Sequence, residues 1–293
     1  MTINEALTWA VNKLEEFKIP DAREEAEFLL THLLKRKRHE LYLNPGLQLT
    51  DAEEDDFLSF IERRANREPA QYIAGETEFR GLAFKVTKDT LIPRPETELL
   101  IDEALEAARS FKDKAITIID LCTGSGCIAV SAAIELPESI VFATDISKAA
   151  LVVAGENARR HGVEGRMIFI EGDLFWPLRD TGFKGAHIIV TNPPYVAETE
   201  KESLAPEVKD FEPHAALFGG ADGLAVIKRI IKKAPDFLLP GGYLIMEIGW
   251  DQAEEVRELL EADGRYEEVK VRKDYGGVER IVVGRKRASV SLN

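Results

Sequence analysis

The sequence predicts an α/β protein with a mostly parallel sheet, preceded by a small helical domain and a β-hairpin. From residue 115 onward, apolar runs of strand length alternate with helical patterns, which is typical of βαβ units. Residues 3–65 instead carry apolar side chains at three- and four-residue spacing, which indicates helices. Between these parts, two short β-type runs flank Arg80-Gly81-Leu82, as in a hairpin.

The first part of the chain is predicted to hold helices at residues 3–17, 22–34 and 51–65. Asp21 is a candidate N-cap for the second helix, and Asn44-Pro45-Gly46 is a break before the third. The hairpin strands follow at 76–79 and 83–86. We therefore expect a helical domain at 1–75, a hairpin linker at 76–95 and a larger domain at 96–293.

Seven strands are predicted in the larger domain. They span residues 116–121, 140–146, 167–171, 188–191, 242–248, 266–271 and 280–283. Helices are predicted at 128–136, 149–160, 225–239 and 252–262. The alternation predicts parallel pairing of the earlier strands, with the last two as a closing pair.

Composition excludes several classes of protein. The 293 residues are 45% hydrophobic and 31% charged, as in a soluble globular protein with a sizeable core. No apolar run approaches the roughly 18 residues that span a bilayer, and the start lacks a basic n-region, so we expect a cytoplasmic protein. The net charge of −14 opposes binding to a nucleic-acid backbone. Cys122 and Cys127 are the only cysteines, too few for a zinc site, and no metal is expected.

A diproline loop, Asn192-Pro193-Pro194-Tyr195, follows the apolar run 186–191. Proline has a fixed φ and no N–H, so the loop offers a backbone carbonyl, and the Asn192 amide oxygen adds a second acceptor. Tyr195 supplies a flat face for a planar amide or base. The loop therefore suits a planar NH2 group, which indicates methyl transfer to nitrogen. A strand followed by a diproline turn without a chemical role is the alternative.

A glycine-containing turn at residues 122–126 follows the strand at 116–121. Its glycines let the backbone approach a ligand closely. Asp145, 21 residues past Gly124, ends the next strand, from which a carboxylate accepts hydrogen bonds from ribose hydroxyls. This pattern alone fits either NAD or S-adenosylmethionine. The diproline loop, at the same predicted sheet edge, favours S-adenosylmethionine.

A third segment, Gly172-Asp173-Leu174-Phe175, follows the strand at 167–171. Asp173 and Leu174 are candidates to contact adenine by hydrogen bond and packing, with a helix cap or turn as the other interpretation of Asp173. The predicted cofactor-binding residues are Cys122, Thr123, Gly124, Ser125, Gly126, Asp145, Asp173, Leu174 and Asn192.

Motifs along nearly the whole chain resemble the protein glutamine-N5 methyltransferases, and within them the release factor glutamine methyltransferase family (PrmC or HemK). The motifs are Pro69-Ala70-Gln71-Tyr72-Ile73, the segment 91–98 with Arg94 and Pro95-Glu96-Thr97, the glycine loop, the diproline loop, Glu212-Pro213, Asp222-Gly223-Leu224, and Glu247-Ile248-Gly249 with Gln252. Related enzymes that modify a ribosomal protein usually lack the Pro-Glu-Thr continuation, so this continuation favours the release-factor branch.

The resemblance implies a class I methyltransferase fold, which is Rossmann-like, and S-adenosyl-L-methionine as cofactor. It implies N5-methylation of the glutamine in the Gly-Gly-Gln motif of peptide chain release factors 1 and 2, with the helical domain docking the substrate. The implied catalytic and substrate-binding residues are Asn192, Pro193, Pro194 and Tyr195. Arg94 and Glu96 are further substrate-binding candidates, with a structural salt bridge as the alternative. We expect a monomer.

Two positions differ from the family pattern. Cys122 stands where the family commonly has a glycine, and a side chain there disfavours a positive φ. Leu174 stands where relatives can carry tryptophan, which predicts a shallower contact with adenine. Glu247, at the end of an apolar strand, is interpreted as an anchor for a loop below the sheet edge.

Three other functions stay open at this point. Glutamine methylation of a ribosomal protein uses the same chemistry. Adenine-N6 methylation of DNA suits the same loop, because an exocyclic amine resembles an amide, but the acidic charge opposes it. An adaptor that binds cofactor and release factor without methyl transfer is the third, and the intact diproline loop argues against it.

Overall fold

The computed structural model describes residues 1–112, 115–179 and 182–288. Contacts between Cα atoms divide the chain into two compact units. The first, called the helical unit below, comprises residues 1–77 and 204–211, and the second, the sheet unit, comprises 78–203 and 212–293. The domain boundaries expected from the sequence stay a prediction. They did not anticipate that residues 204–211 would join the helical unit.

Helices and strands are numbered along the chain. The helices are α1 (Ile3–Glu16), α2 (Ala22–Leu34), α3 (Arg38–Leu43), α4 (Asp51–Ala65), α5 (Ala70–Ala74), α6 (Glu98–Ala108), α7 (Cys127–Glu135), α8 (Lys148–Arg160), α9 (Pro206–Phe211), α10 (His214–Leu217), α11 (Ala225–Phe237) and α12 (Ala253–Asp263). The strands are β1 (Glu76–Phe79), β2 (Leu82–Lys85), β3 (Thr117–Leu121), β4 (Ile140–Asp145), β5 (Met167–Glu171), β6 (Ala186–Thr191), β7 (Leu238–Glu247), β8 (Tyr266–Lys273) and β9 (Glu279–Lys286). No helix among the described residues has the length and apolarity needed to cross a membrane.

Local sequence signals explain where the first helices begin. The hydroxyl of Thr2 accepts from the backbone N–H of Glu5, and Thr50 does the same for Glu53, so α1 and α4 both start with a capping box. The expectation that Asp21 caps α2 is wrong in detail. Asp21 occupies the N-cap position in a left-handed conformation, with φ of 51°, and its side chain makes no capping hydrogen bond. The turn after Pro20 therefore sets this helix start by backbone geometry.

The helical unit packs its amphipathic helices around one apolar core. Leu14, Leu29, Phe57 and Ile61 are fully buried there, so α1, α2 and α4 each contribute their apolar face. The three helices expected in this region are present, and the short helices α3 and α5 were not predicted. Burial of an apolar side chain of this size contributes about 1.5–3 kcal/mol.

The sheet unit holds a seven-stranded sheet in the order β5-β4-β3-β6-β7-β9-β8. The pairs β3–β4, β4–β5, β3–β6 and β6–β7 are parallel, whereas β9 runs antiparallel to both β7 and β8. The expected mostly parallel, seven-stranded sheet is therefore confirmed, as is the hairpin of β1 and β2. Strand order reverses between β3 and β6, and ligands of such sheets bind at the carboxyl ends beside this point.

Both faces of the sheet are covered, which explains why its strands are nearly continuous apolar runs. One face packs against α6 and α7, where Leu100, Ile118 and Ile188 are fully buried. The other packs against α11 and α12, where Ile119, Ile189 and Ile230 are fully buried. Successive strand residues thus point to opposite cores. Helix α6 was not among the predicted elements.

Candidate active site

The register of the sheet brings the predicted site segments to one edge. Leu121 of β3 pairs with both Thr144 of β4 and Thr191 of β6. The glycine turn and the diproline loop therefore leave neighbouring strands at the same level. Asp145, the last residue of β4, pairs with Glu171 of β5, so the segment that starts at Gly172 leaves the same edge.

A cavity of about 340 Å³ lies at this edge, within the sheet unit. Its lining is made of residues 88–91, 144–147 and 172–174 together with Cys122, Gly124, Ala150, Asn192, Pro194, Pro213, Ala215, Ala216, Phe218, Val226 and Arg229. Seven predicted site residues are in this lining: Cys122, Gly124, Asp145, Asp173, Leu174, Asn192 and Pro194. The other predicted residues, Thr123, Ser125, Gly126, Pro193, Tyr195, Arg94 and Glu96, are outside it.

The glycine turn adopts the conformation that a close backbone approach needs. Gly124 and Gly126 have φ of 55° and 79°. Cys122 has φ of 58°, so the expectation that its side chain would disfavour a positive φ here is wrong. A left-handed non-glycine residue costs on the order of 1–3 kcal/mol, and the surrounding structure must impose it. Burial raises the pKa of the Cys122 thiol, which keeps it protonated and neutral in the wall of the cavity.

Two other residues of this turn serve the fold. The Thr123 hydroxyl donates over 2.6 Å to Oδ2 of Asp120, and both side chains are buried below the turn. Gly126 starts α7, and a Cβ at this position would lie 2.9 Å from Cβ of Ala154 in α8, so only glycine allows this packing. Burial raises the pKa of Asp120 to about 7.

Asp145 holds the turn while presenting its carboxylate to the cavity. Oδ2 accepts from the backbone N–H of Gly124 over 2.9 Å, and Oδ1 accepts from that of Ser147 over 2.8 Å. Burial raises the pKa of Asp145, and these two backbone donors oppose that effect. Each carboxylate oxygen keeps a further lone pair for a ligand hydroxyl.

Asp173 and Leu174 form another part of the wall. Asp173 makes an ion pair with Arg229 at the exposed rim. Leu174 is buried with φ of 50°, and its carbonyl accepts from the Thr144 hydroxyl over 3.2 Å. The hydrogen bond therefore holds Leu174 in place, with its side chain in the apolar part of the lining.

The side chain of Asn192 is held by a chain of buried polar groups. Nδ2 of Asn192 donates to the Thr97 hydroxyl oxygen over 3.2 Å, and this hydroxyl donates to Oε2 of Glu247 over 2.6 Å. Thr97 and Glu247 are 2% and 1% exposed, so water does not compete for these bonds. The amide nitrogen of Asn192 is thereby engaged, which leaves its oxygen for the cavity.

Tyr195 is fixed at both its hydroxyl and its backbone. The hydroxyl donates to Oε1 of Glu247 over 3.2 Å, and the backbone carbonyl accepts from Nε2 of Gln252 over 2.9 Å. Burial raises the pKa of Glu247 to about 7, and its hydrogen bonds with Thr97 and Tyr195 oppose the increase. Glu247 thus anchors the loop as interpreted from the sequence, because it contacts Tyr195 directly and reaches Asn192 through Thr97.

Two glycines pack against the carbonyl groups of this loop. A Cβ on Gly219 would lie 2.5 Å from the Pro194 carbonyl oxygen, and one on Gly223 would overlap the Tyr195 carbonyl oxygen. The backbone of the diproline loop therefore packs directly against these two glycines, and a side chain at either of them would displace it.

The two charged candidates from the proline-bearing segment have different positions. Arg94 forms a salt bridge with Oε1 of the buried Glu212 over 2.5 Å. A structural salt bridge was the alternative to substrate binding that the sequence left open for Arg94, and this contact is such a salt bridge. Glu96 is half-buried and adds to the rise in the pKa of Glu247 by its negative charge.

Sequence reasoning missed the role of Thr97. It noted this residue only as part of the Pro-Glu-Thr continuation, because its partner Glu247 lies 150 residues away. A single threonine gives no periodic pattern or motif from which a contact with a residue so far along the chain could be predicted. Gln252 was likewise noted without a role.

Two sequence families match the chain. Residues 5–75 match the PrmC N-terminal domain, and residues 96–208 match the methyltransferase small domain. The release factor glutamine methyltransferase of Geobacter sulfurreducens is 42% identical over 284 residues, which cover 97% of this chain and 96% of that protein. The protein of the same name from Koribacter versatilis is 41% identical and covers 99% of this chain and 100% of its own length.

Solved structures share the fold at low sequence identity. The catalytic domain of hMettl16, in complex with MAT2A 3'UTR hairpin 6, has a TM-score of 0.57 at 16% identity and covers 84% of this chain and 86% of its own. A methyltransferase from Pyrococcus furiosus has a TM-score of 0.50 at 16% identity and covers 81% and 100%. These likenesses identify a Rossmann-like methyltransferase fold. The near-full-length sequence matches show that the chain belongs to the release factor glutamine methyltransferase family.

Proposed function

We propose that the protein uses S-adenosyl-L-methionine to methylate N5 of the glutamine in the Gly-Gly-Gln motif of peptide chain release factors 1 and 2. The observation that carries this proposal is the state of the Asn192 amide. Its nitrogen donates to Thr97 beside the cavity, so its oxygen is the atom available to an incoming N–H group. The names and coverage of the relatives support a release factor as the substrate.

The residues of the cavity fit S-adenosyl-L-methionine. Its volume of about 340 Å³ lies within the range of roughly 300–1,000 Å³ for small-molecule sites. Asp145 would accept from the ribose hydroxyls, and Leu174 with Ala150 and Val226 offers an apolar surface for adenine. The cofactor would supply a methyl group that its sulfonium has already activated.

The protein's own contribution is orientation. An amide nitrogen is a poor nucleophile, because its lone pair is delocalised into the carbonyl. The Asn192 Oδ1 and the Pro193 carbonyl would accept the two N–H bonds of the glutamine and hold its nitrogen toward the methyl group. As positive charge develops on that nitrogen, the same acceptors would bind it more strongly than they bind the neutral amide, and the methylated nitrogen would then release one of its two protons. Pro194 and Tyr195 complete the proposed catalytic loop.

The remaining predicted roles are also proposals. Thr123, Ser125 and Gly126 would act by holding the turn that presents Cys122 and Gly124, since they lie outside the lining. Arg94, paired with Glu212, and Glu96 would border the substrate. The helical unit would dock the release factor, and the protein would act as a cytoplasmic monomer.

The test is incubation with methyl-labelled S-adenosyl-L-methionine and purified release factor 1 or 2. Parallel reactions contain the factor with its Gly-Gly-Gln glutamine changed to alanine, ribosomal protein, and duplex DNA. Label on native factor alone supports the proposal. Label on ribosomal protein or DNA overturns the substrate, and no label in any reaction favours an adaptor without methyl transfer.

A further inference from the structure

We infer that Thr97 and Glu247 are positioning residues that determine which end of the Asn192 side-chain amide faces the cavity. This inference rests on the proposed function, because it explains how the loop meets a substrate NH2 group. Neither residue lines the cavity. They would act through Asn192 and not by touching the substrate.

The hydrogen bonds of Thr97 fix the direction of the Asn192 amide. A carboxylate only accepts hydrogen bonds, so the Thr97 hydroxyl must donate its one proton to Oε2 of Glu247, which lies 2.6 Å away. Toward Asn192, the Thr97 oxygen can then only accept. The group that faces it must be Nδ2, which lies 3.2 Å away, and not Oδ1. The negative charge of Glu247 thus fixes the amide orientation two hydrogen bonds away.

The glutamine amide nitrogen carries two N–H donors and needs acceptors. A reversed Asn192 amide would present its own NH2 group to that nitrogen, so donor would face donor. Asparagine alone has little preference between the two orientations, because its amide oxygen and nitrogen are nearly equal in size. The Thr97–Glu247 pair supplies the missing preference.

Two hydrogen bonds and burial hold the Glu247 carboxylate in place. Its second oxygen accepts from the Tyr195 hydroxyl, so the carboxylate cannot turn without breaking one of two bonds. The side chain is 1% exposed, and water is not available as a substitute partner. The charge of Arg280 favours the ionised form, whereas the charge of Glu96 opposes it.

The decisive comparison is Thr97→Val against Thr97→Ser. Valine keeps the shape of threonine but can neither donate nor accept, and serine keeps the hydroxyl but loses the methyl group. Valine leaves the Asn192 N–H that faces it without an acceptor, so the reversed amide is favoured. We expect Thr97→Val to lower kcat for release-factor methylation at least about tenfold, and Thr97→Ser to stay within about threefold of the wild type. A purely packing role for Thr97 predicts the reverse order, and that result would overturn the inference.

Glu247→Met provides a second test, because it removes the carboxylate while keeping an apolar side chain of similar length. The Thr97 proton is then free to turn toward Oδ1 of Asn192. We expect kcat to fall as in Thr97→Val, while the Kd for S-adenosyl-L-methionine stays within about threefold, since neither residue lines the cavity. Thermal unfolding of each variant shows whether it is folded.

Amide orientation can also be measured without turnover. In the wild type, NMR should show a nuclear Overhauser effect between the Asn192 side-chain NH2 and the Thr97 methyl group, and this signal should be lost in Glu247→Met. If the wild type transfers no methyl group to release factor but this pattern holds, the proposed function fails and the positioning role stands. An unchanged signal in Glu247→Met, or full activity in Thr97→Val, would refute the positioning role.

Discussion

The backbone carbonyl of Tyr195 accepts a hydrogen bond from Nε2 of Gln252 over 2.9 Å. Oε1 of the same glutamine accepts from the backbone N–H of Gly249 over 2.8 Å, so its side chain uses both ends of its amide. Gln252 thereby ties the diproline loop after β6 to the turn after β7. Gly223 lies against the same carbonyl, which makes this point of the loop sensitive to added volume.

Gly223→Ala should disrupt the diproline loop. Its Cβ would overlap the Tyr195 carbonyl oxygen and lie 2.8 Å from Nε2 of Gln252, and φ is +73°. Gly277→Ala is the matched control, because φ is +83° there but nothing lies within 4 Å of the added Cβ. Both variants carry the conformational cost of a side chain at positive φ, which is about 1 kcal/mol. Only Gly223→Ala adds the clash with the loop, so kcat should fall at least tenfold in this variant alone. Equal kcat values for the two variants would contradict the clash.

Asn192→Ala should remove methyl transfer and leave cofactor binding nearly intact. The substitution deletes the acceptor proposed for one substrate N–H, and loss of one such group typically costs 10²–10³-fold in kcat. Binding of S-adenosyl-L-methionine, measured by calorimetry, should change by less than about fivefold. Normal transfer by this variant would show that the Asn192 oxygen does not hold the amide.

Tyr195→Phe should reduce kcat by about fivefold, because it removes one hydrogen bond to Glu247 and keeps the aromatic face. Tyr266→Phe is the control. The Tyr266 hydroxyl is also buried, but it donates to the Ile231 carbonyl over 2.7 Å and not to Glu247. We expect this control to lower the unfolding temperature without changing kcat. A similar loss of activity in both variants would indicate a general effect on stability.

The ionisation of Glu247 should affect activity and stability in opposite directions. The proposed positioning role needs the charged form of Glu247, so kcat should fall as pH drops below about 7. The pH profile of Glu247→Met should lack this acidic decrease in kcat. The groups that act on its charge are Tyr195, Thr97, Arg280 and Glu96. Asp120 also has a pKa raised to about 7, so Asp120→Asn is the control for which carboxyl group titrates. This variant should keep the acidic decrease in kcat.

For stability the sign reverses. The folded-state pKa of Glu247 lies above the ordinary value of 4.5, so the native state holds the proton more tightly. The tighter binding of this proton stabilises the folded state fully below pH 4.5, and the stabilisation is lost as pH rises through about 7. The wild type should therefore lose on the order of 3 kcal/mol of unfolding free energy relative to Glu247→Met between pH 4.5 and 8, measured by denaturant titration. A pH-independent difference would contradict the raised pKa.

Asp145→Asn should weaken cofactor binding by about tenfold or more. One of its two oxygens becomes an NH2 group, which then faces a backbone N–H of Gly124 or Ser147. Asp173→Asn is the comparison in the same cavity. It loses the exposed ion pair with Arg229 but keeps a side-chain oxygen for the predicted adenine contact, so a change below about threefold is expected. Equal losses in both variants, measured by calorimetry, would refute the proposed ribose contact of Asp145.

Much of the sheet and of the site was predictable because the signals are local. The bounds of α2 and α4 match the apolar periodicity, and β3, β4 and β6 end where the glycine turn, Asp145 and Asn192 were expected. What was missed depends on distant partners. Thr97 gains its role from Glu247, and Cys122 reaches a positive φ because the surrounding turn imposes it. Neither effect leaves a pattern in the neighbouring residues.

Helix α9 has a consequence for how this architecture can be divided. Within the helical unit, the side chain of Arg64 is 4% exposed. Its guanidinium donates to Glu25 over 2.9 Å and to Glu207 of α9 over 3.1 Å. Arg67 contacts the same Glu207 over 3.2 Å. A fragment of residues 1–77 would leave this buried cation short of a partner, a loss that typically costs 3–5 kcal/mol. The helical unit is therefore not an exchangeable module, and a chimera that replaces it must carry residues 204–211 from the same parent.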